Sequence, residues 1–216
     1  MNIIDNCSKI LGENVSRETF ERLEAFVHLH DKWNRTINLS RYQSYDELWT
    51  RHVLDGMSVI KYFPDDASVV TDFGSGGGFP GIVIAIMKDV KVHLVESDQR
   101  KVAFLHEASQ FAKNTVVVHE ERIEVLAKEP WQTDVLTARA LAPLHELIPM
   151  ILPFVQKTKI CLFHQGQNGV KGYKEVSKET NLPMHLISGS IPEHSYIVRI
   201  QGGMNGNCQQ HAGEFG

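Results

Sequence analysis

The feature of the sequence that most constrains its fold is an alternation, from residue 67 onward, of short apolar runs with helix-length segments. Near-continuous apolar strands that alternate with helices are typical of a parallel sheet with helices on both faces. Two last runs, near residues 184–187 and 195–201, have too few residues between them for a crossover helix, so an antiparallel hairpin is expected at the sheet edge. The other strands are predicted over residues 68–72, 91–96, 115–119, 134–137 and 159–163.

Before the first strand, the sequence is predicted to be helical. Ser16 is a suitable N-cap, and apolar residues then recur every three or four positions from Phe20 onward. Ser44 and Glu47 match a capping box, in which each side chain satisfies the other residue's backbone amide. Helical spacing then continues to Pro64, where the element is expected to end.

These patterns together predict one α/β domain with a Rossmann-like, mostly parallel seven-stranded sheet and an N-terminal helical extension. The expected divisions are a helical cap over residues 1–63, a Rossmann-like domain over 64–201 and a tail over 202–216. The tail is rich in glycine and lacks apolar periodicity, so it is predicted to be disordered.

Composition and charge exclude several classes of protein. The chain of 216 residues has a formal net charge of −4, which argues against indiscriminate nucleic-acid binding but allows a local basic patch. No apolar run reaches the roughly 18 residues needed to cross a bilayer, and the N-terminus lacks the basic and apolar regions of a signal peptide. We therefore expect a cytoplasmic protein with no membrane association.

The cysteines and histidines give no sign of a disulfide framework or a metal site. Cys7, Cys161 and Cys208 are far apart and form no C-x-x-C pair. The 11 histidines include no H-E-x-x-H or similar spacing. We expect no metal cofactor, and Cys161, inside a predicted strand, is expected to be a core residue rather than a nucleophile.

The strongest functional signal is a glycine-rich turn, Asp72-Phe73-Gly74-Ser75-Gly76-Gly77-Gly78-Phe79-Pro80-Gly81, directly after the first predicted strand. Glycines allow the chain to turn sharply and a ligand to approach the backbone closely. Two common nucleotide motifs do not fit. A Walker P-loop needs a lysine where Ile82 stands, and a dinucleotide fingerprint that starts at Gly74 needs a glycine where Phe79 stands.

A cofactor with a nucleoside but no pyrophosphate remains compatible with this turn. Glu96 ends the second predicted strand, where a carboxylate can accept hydrogen bonds from ribose hydroxyls. Asp72, at the end of the first strand, is expected near a positively charged part of the cofactor. S-adenosylmethionine, which has a nucleoside, a cationic sulfonium and an amino-acid tail, fits these features, whereas a flexible loop beside a solvated helix cap is the alternative.

The turn resembles the D-[LVF]-G-[ST]-G-x-G-[FL]-P-G segment of the RsmG (GidB) family of bacterial 16S ribosomal RNA guanine-N7 methyltransferases. The resemblance extends over about residues 16–200 and includes several shorter matches. These are Lys32-Trp33-Asn34, Asn38-Leu39, Arg51-His52-Val53-Leu54-Asp55, Glu96-Ser97, Arg100-Lys101, Arg122-Ile123-Glu124 and Arg139-Ala140. The resemblance implies a class I Rossmann-like, S-adenosylmethionine-dependent methyltransferase without a metal, which modifies guanine 527 in 16S ribosomal RNA or the small ribosomal subunit.

The resemblance also implies roles for particular residues. Gly74, Gly76 and Phe79 would line the cofactor pocket, together with Asp72 and Glu96. Ile123 and Glu124 would hold the adenine end. Arg139, just past the fourth strand, would lie at the methyl-transfer face and position the reactants; a surface ion pair is the alternative role for this arginine.

Basic residues are the natural candidates for contacts with RNA phosphates. Arg51 and Asp55 are four positions apart on a predicted helix, so an ion pair between them is as plausible as a role toward the substrate. The candidate RNA-binding residues are Lys32, Arg35, Arg51, His52, Arg100 and Lys101, with Arg41 as a further cation.

The chemistry of guanine N7 agrees with the sequence. N7 carries an exposed lone pair and no proton, so its methylation needs alignment rather than a general base. The sequence shows no clearly placed catalytic Cys, His or Asp dyad. Two other functions stay open at this point, an NAD-dependent oxidoreductase and a ribosome-assembly factor without enzymatic activity, and a monomer is expected.

Overall fold

A single seven-stranded sheet organises the computed structural model, which describes residues 3–167, 170, 172–189 and 195–203. The strand order is β3-β2-β1-β4-β5-β7-β6. Strands β1 to β5 are parallel, and β7 runs antiparallel to both of its neighbours, β5 and β6. The predicted parallel sheet with an antiparallel edge hairpin is confirmed. The strands are β1 (Val69–Phe73), β2 (Lys91–Glu96), β3 (Val116–Glu120), β4 (Thr133–Arg139), β5 (Thr158–Gly166), β6 (Met184–Ser188) and β7 (Ser195–Gln201).

The helices cover both faces of this sheet and extend before it. They are α1 (Ile3–Leu11), α2 (Arg17–Asn34), α3 (Tyr45–Leu48), α4 (Asp55–Met57), α5 (Gly81–Met87), α6 (Gln99–Ala108), α7 (Ile123–Leu126), α8 (Leu144–Val155) and α9 (Tyr173–Thr180). No helix within the described ranges is long and apolar enough to cross a lipid bilayer.

The central strands are mainly apolar because both faces of the sheet are covered. Leu94 of β2 packs in one hydrophobic cluster and its neighbour Val95 packs in the other. Likewise, Leu162 and Phe163 of β5 face opposite clusters. Successive side chains of a strand point to opposite faces, so a strand covered on both faces is apolar on both, and buried polar residues such as Asp72 are exceptions.

The N-terminal helices share a hydrophobic core with the sheet. Ser16 caps α2 as predicted, because its Oγ accepts a hydrogen bond from the Thr19 amide (3.2 Å). The ring of Phe26 in α2 packs against Phe79 of the glycine-rich turn and Phe104 of α6, with centroid distances of 5.3 and 6.4 Å. This packing fixes the helical segment against the end of the sheet where the glycine-rich turn lies.

The prediction of a continuous helix up to Pro64 is wrong. A π-helical segment, Trp49–Leu54, separates α3 from α4, and a short 3₁₀ turn follows at Ile60–Tyr62. The apolar spacing could not reveal the wider turn, because buried residues recur at similar intervals in both kinds of helix. The capping box is also only half formed, since Glu47 accepts from the Gln43 amide rather than from that of Ser44.

The predicted tail lies largely outside the described residues. Strand β7 ends at Gln201, and the structure describes Gly202 and Gly203 beyond it. Residues 204–216 are not among those that the structure describes. The disorder predicted for this segment therefore stays a prediction.

Candidate functional site

A cleft of about 540 Å³ opens at the carboxyl ends of the parallel strands, the edge where sheets of this type bind ligands. We call it the carboxyl-edge cleft. The glycine-rich turn forms its floor, and residues before and within the π-helical segment form one wall. Its lining residues are Leu39, Ser40, Arg41, Arg51, His52, Asp55, Gly74, Ser75, Gly76, Gly77, Phe79, Lys101, Arg139, Ala140, His164, Gln165, Gly166 and Ser195.

Three glycines of the turn, Gly74, Gly76 and Gly78, have backbone conformations that other residues rarely adopt. Gly74 has a φ of +63° and Gly76 a φ of +47°, both in the left-handed region. A Cβ at Gly76 would be 3.6 Å from the Gly74 carbonyl oxygen and 3.9 Å from Glu96 Oε2, both ordinary van der Waals distances. Gly76 thus carries no side chain beside the Glu96 carboxylate.

Glu96 is held in a fixed orientation at the end of β2. Its Oε2 accepts a hydrogen bond from the Gly76 amide (3.0 Å), and its Oε1 accepts from the amides of Ser97 (2.8 Å) and Asp98 (2.9 Å). A carboxylate can accept more hydrogen bonds than these three. Glu96 is not among the lining residues of the cleft, and its predicted hydrogen bonds with ribose hydroxyls stay a prediction.

Asp72 lies beneath the turn and is completely buried, so it does not line the cleft. Its Oδ1 accepts a hydrogen bond from Thr137 Oγ1 (2.7 Å), whereas its Oδ2 has no hydrogen-bond partner in the described part of the chain. Burial raises the pKa of Asp72 to about 6. A nearby positive charge would favour the ionised carboxylate, so the unpaired oxygen is compatible with a cationic ligand. The contact itself stays a prediction.

Phe79 lines the cleft as predicted, with its ring largely buried. The ring packs against those of Phe26, His30 and His52, with centroid distances of 5.3, 5.0 and 5.4 Å. Phe79 therefore connects the floor of the cleft to the helical wall.

Ile123 and Glu124 are not among the residues that line this cleft. Ile123 begins α7 and packs in the hydrophobic cluster formed with α8, while Glu124 is exposed beside it. Both follow β3, two strands away from β1, so their position agrees with a ligand that extends along the sheet edge. Their predicted contact with adenine stays a prediction.

Arg139 lies at the end of β4 and is bound to the helical wall. Its Nη1 donates to His52 Nδ1 (2.8 Å), its Nη2 donates to the Arg51 carbonyl, and its Nε lies 3.3 Å from Asp55 Oδ2. The possible ion pair between Arg51 and Asp55 does not form, because Arg51 pairs with Glu47 instead. Asp55 instead pairs with Arg139, whose side chain is 20% exposed. Arg139 therefore does form an ion pair, and its predicted role at the methyl-transfer face stays a prediction.

The structure separates the candidate RNA-binding residues into two groups. Arg51, His52 and Lys101 line the cleft, as does the further cation Arg41. The others do not line it. Of these, Lys32 is exposed on α2, Arg35 pairs with Asp31, and Arg100 pairs with Asp98.

Asp55, His164 and Ser195 line the cleft but were not predicted as site residues. For Asp55, the sequence leaves a local ion pair with Arg51 and a role toward the substrate equally plausible, and its place in the Arg51–Asp55 match is a signal. His164 directly follows the apolar run of β5. From the sequence it is only a polar residue near the carboxyl edge. Ser195 reaches the cleft because β7 lies beside β5, an arrangement that chain order alone does not show.

Comparisons with known proteins agree with this geometry. The GidB family model, described as rRNA small subunit methyltransferase G, matches residues 19–190. A relative named ribosomal RNA small subunit methyltransferase G from Gluconobacter oxydans (strain 621H) is 40% identical over 186 residues, which cover 86% of this chain and 95% of the relative. Another with the same name, from Parvibaculum lavamentivorans (strain DS-1), is 43% identical over 215 residues, 97% of this chain and 94% of the relative.

Solved structures show the same fold at low sequence identity. Magnesium protoporphyrin IX methyltransferase from Synechocystis PCC 6803 with bound SAM has a TM-score of 0.60 at 14% identity, over 87% of this chain and 98% of that chain. The METTL16 methyltransferase domain has a TM-score of 0.56 at 13% identity, over 86% and 82%. These likenesses confirm the predicted class I methyltransferase fold. Because the family model covers most of the sequence and the relatives align over nearly their whole length, the chain belongs to the GidB family of ribosomal RNA small subunit methyltransferases.

Proposed function

We propose that the carboxyl-edge cleft binds S-adenosylmethionine and transfers its methyl group to N7 of a guanine in 16S ribosomal RNA, guanine 527. The observation that carries the proposal is the Glu96 carboxylate, which the Gly76 amide and two further amides fix at the carboxyl edge beside the glycine-rich turn, in a member of this methyltransferase family. The relatives' names support the RNA substrate and give no support to an oxidoreductase or a non-enzymatic assembly factor.

The residues of the cleft fit this cofactor. Glu96 would accept hydrogen bonds from the ribose hydroxyls, and the unpaired Oδ2 of Asp72 would favour a positive charge above the turn. Gly74, Gly76 and Phe79 would shape the pocket, with Ile123 and Glu124 at the adenine end. When bound, S-adenosylmethionine supplies an electrophilic methyl group on a sulfonium.

No general base is needed for this reaction, and the histidines of the cleft are not arranged as one. Guanine N7 attacks with a lone pair and loses no proton, so the protein must only align the reactants. Both ring nitrogens of His52 already have partners, Arg139 and the Arg41 carbonyl. Nε2 of His164 is held by the Asp55 carbonyl. Arg139 would instead position the reactants.

Arg41 and Lys101 are the cations best placed to contact RNA phosphates beside the target base. Both line the cleft, Arg41 from the segment before α3 and Lys101 from α6, and neither side chain has an ion-pair partner in the described ranges. We also propose a cytoplasmic monomer, which is supported by the ribosomal RNA substrate and by a cleft built from one chain. Light scattering after size exclusion tests the monomer.

The test is transfer of a labelled methyl group from S-adenosylmethionine to 16S ribosomal RNA, offered as naked RNA and as small subunits. Label is expected on one guanine, where borohydride and aniline should cleave the chain, because this chemistry is selective for N7-methylated guanine. RNA in which guanine 527 is replaced by adenine should accept no label. Label on another base, or none on either substrate, would overturn the proposal.

A further inference from the structure

Three groups of the segment Arg51–Asp55 converge on the side chain of Arg139. The π-helical segment presents the Arg51 carbonyl and the His52 ring, and Asp55 follows at the start of α4. A guanidinium has five N–H donors in a fixed plane, so contacts through Nε, Nη1 and Nη2 leave it a single orientation. The donors that remain are available to an acceptor in the cleft, which Arg139 lines.

The hydrogen bonds of His52 determine which of its nitrogens carries the proton. A carbonyl oxygen only accepts, so Nε2 must donate to the Arg41 carbonyl (3.1 Å). Nδ1 is then unprotonated and accepts from Arg139 Nη1. Burial, followed by the positive charge of Arg139, lowers the pKa of His52 to about 4, so the ring is neutral under ordinary conditions. His52 is thus a fixed, neutral acceptor for the arginine.

Asp55 supplies the charge that Arg139 needs and is itself fixed from three sides. Its carboxylate is buried, with Oδ2 near Arg139 and Oδ1 accepting from Ser195 Oγ of β7 (2.7 Å). Its carbonyl accepts from His164 Nε2 of β5 (2.8 Å). Asp55 therefore ties the helical wall to two strands of the sheet at the place where Arg139 enters the cleft.

We propose that the segment Arg51–Asp55 is a clasp that holds the Arg139 guanidinium in one orientation and neutralises its charge, which makes His52 and Asp55 positioning residues for methyl transfer. This inference depends on the proposed function. An uncompensated guanidinium would repel a cationic sulfonium in the same cleft, whereas it would not repel the neutral thioether of S-adenosylhomocysteine. The clasp therefore makes a prediction that distinguishes the two ligands.

The first test is calorimetry of Asp55→Asn with both ligands, without RNA. The affinity for S-adenosylmethionine should fall roughly five- to tenfold more than that for S-adenosylhomocysteine. The matched control is Asp66→Asn. Asp66 precedes β1, and its exposed carboxylate pairs with Lys159, so this substitution removes the same charge away from the cleft. It should leave the ratio of the two affinities unchanged. Equal weakening of both ligands in Asp55→Asn would overturn the neutralising role.

The second test compares two substitutions of His52 in the methyl-transfer assay. His52→Phe keeps a ring but loses both hydrogen bonds, so kcat should fall about tenfold to hundredfold. His52→Gln keeps a neutral acceptor and a donor, so it should recover activity to within about threefold of the wild type. Wild-type kcat in a folded His52→Phe, or no recovery in a folded His52→Gln, would overturn the positioning role.

The two proposals fail in different ways. If the wild-type chain transfers no methyl group to 16S RNA, the proposed function is wrong. The affinity ratio measured for Asp55→Asn needs no RNA and still tests the clasp. If the wild-type chain methylates its RNA and the ratio stays constant, the clasp alone is wrong. Thermal melting of each variant establishes that it is folded.

Discussion

Two clefts lie at opposite edges of the sheet, and the larger one is not the candidate site. The amino-edge cleft, about 860 Å³, lies where β4 and β5 begin and is lined by residues that include Lys157, Lys159 and Arg199. The carboxyl-edge cleft has about 540 Å³. Volume alone would therefore select the amino edge, because large pockets are the usual first choice for a ligand site.

The chemistry of the two clefts differs more than their size. In the amino-edge cleft, Lys159 pairs with Asp66 and Asp134, and Lys157 donates to the Pro130 carbonyl. These contacts satisfy exposed charges. The carboxyl-edge cleft instead contains the largely buried ion pair of Arg139 and Asp55, and an unpaired carboxylate oxygen lies beneath its floor. Such groups are costly to bury, which supports the proposal that this cleft serves a ligand.

The comparison is tested most strongly by adding the same side chain to a glycine in each cleft. Gly76→Val would place a branched side chain beside the Glu96 carboxylate. The affinity of this variant for S-adenosylmethionine should therefore fall at least about a hundredfold. Gly203 lines the amino-edge cleft with a φ of +74°, and the nearest atom to a Cβ there is the Thr158 carbonyl oxygen at 3.5 Å. Gly203→Val should bind the cofactor within about twofold of the wild type.

Calorimetry and thermal melting of this pair separate binding from stability. Both valines require an unfavourable positive φ, which costs of the order of 1–3 kcal/mol, so both variants should melt at a lower temperature. Only Gly76→Val should lose the cofactor. Equal loss of affinity in both variants would show that the effect comes from strain and not from the cleft.

Substitution of the cations in the two clefts should have a smaller effect, which is measured as the affinity for RNA. Arg41→Gln combined with Lys101→Gln should weaken binding of a 16S RNA fragment. Each lost contact with a single-strand phosphate reduces the slope of log affinity against log salt concentration by about 0.7. The two substitutions should therefore make this slope shallower by about 1.4. The matched pair in the amino-edge cleft, Lys157→Gln with Arg199→Gln, should leave the slope unchanged. A larger change in the second pair would place the RNA on the other edge.

The smallest expected effect is the dependence of folding stability on pH. The test compares a buried histidine of the cleft with an exposed histidine. The pKa of His52 is lowered to about 4 by burial and then by Arg139, whereas an unfolded histidine has a pKa near 6.5. The unfolded chain therefore binds the proton first, and stability is lost as pH falls below 6.5. At pH 5.5 this amounts to about 1.4 kcal/mol, or about 4 °C in melting temperature. Asp72, with its raised pKa, acts in the opposite direction.

Melting curves of two variants at pH 7.5 and 5.5 test this assignment. His52→Gln should lose less stability than the wild type on acidification, because it removes the buried group. His145 has a side chain that is 65% exposed, so His145→Gln should behave like the wild type. An unchanged response to acid in His52→Gln would contradict a neutral, buried His52.

Much of the sheet could be predicted from the sequence because its strands are buried on both faces. The β-branched runs located β1 to β5 within a few residues, and the short spacing near the end predicted the antiparallel pair. The site edge followed from the fold, since a glycine-rich turn after β1 and an acid at the end of β2 must meet at the carboxyl edge. Gly76 and Glu96 accordingly lie in hydrogen-bond contact.

The clasp could not be predicted, because its contacts join residues that are distant in sequence. Arg51 and Asp55 have helical spacing for an ion pair, but each has a better-placed partner, Glu47 and Arg139 respectively. The π-helical segment leaves no signature in the apolar pattern. Ser195 reaches Asp55 only because β7 inserts between β5 and β6, which depends on tertiary packing rather than on local sequence.

The most direct test is a crystal structure of the chain with S-adenosylhomocysteine. The ligand should lie in the carboxyl-edge cleft, with its ribose hydroxyls hydrogen-bonded to Glu96. It should also lie close to the protein backbone at Gly76. Arg139 should keep its contacts with His52 and Asp55. Ligand density in the amino-edge cleft, or ribose hydroxyls without a hydrogen bond to Glu96, would contradict the account.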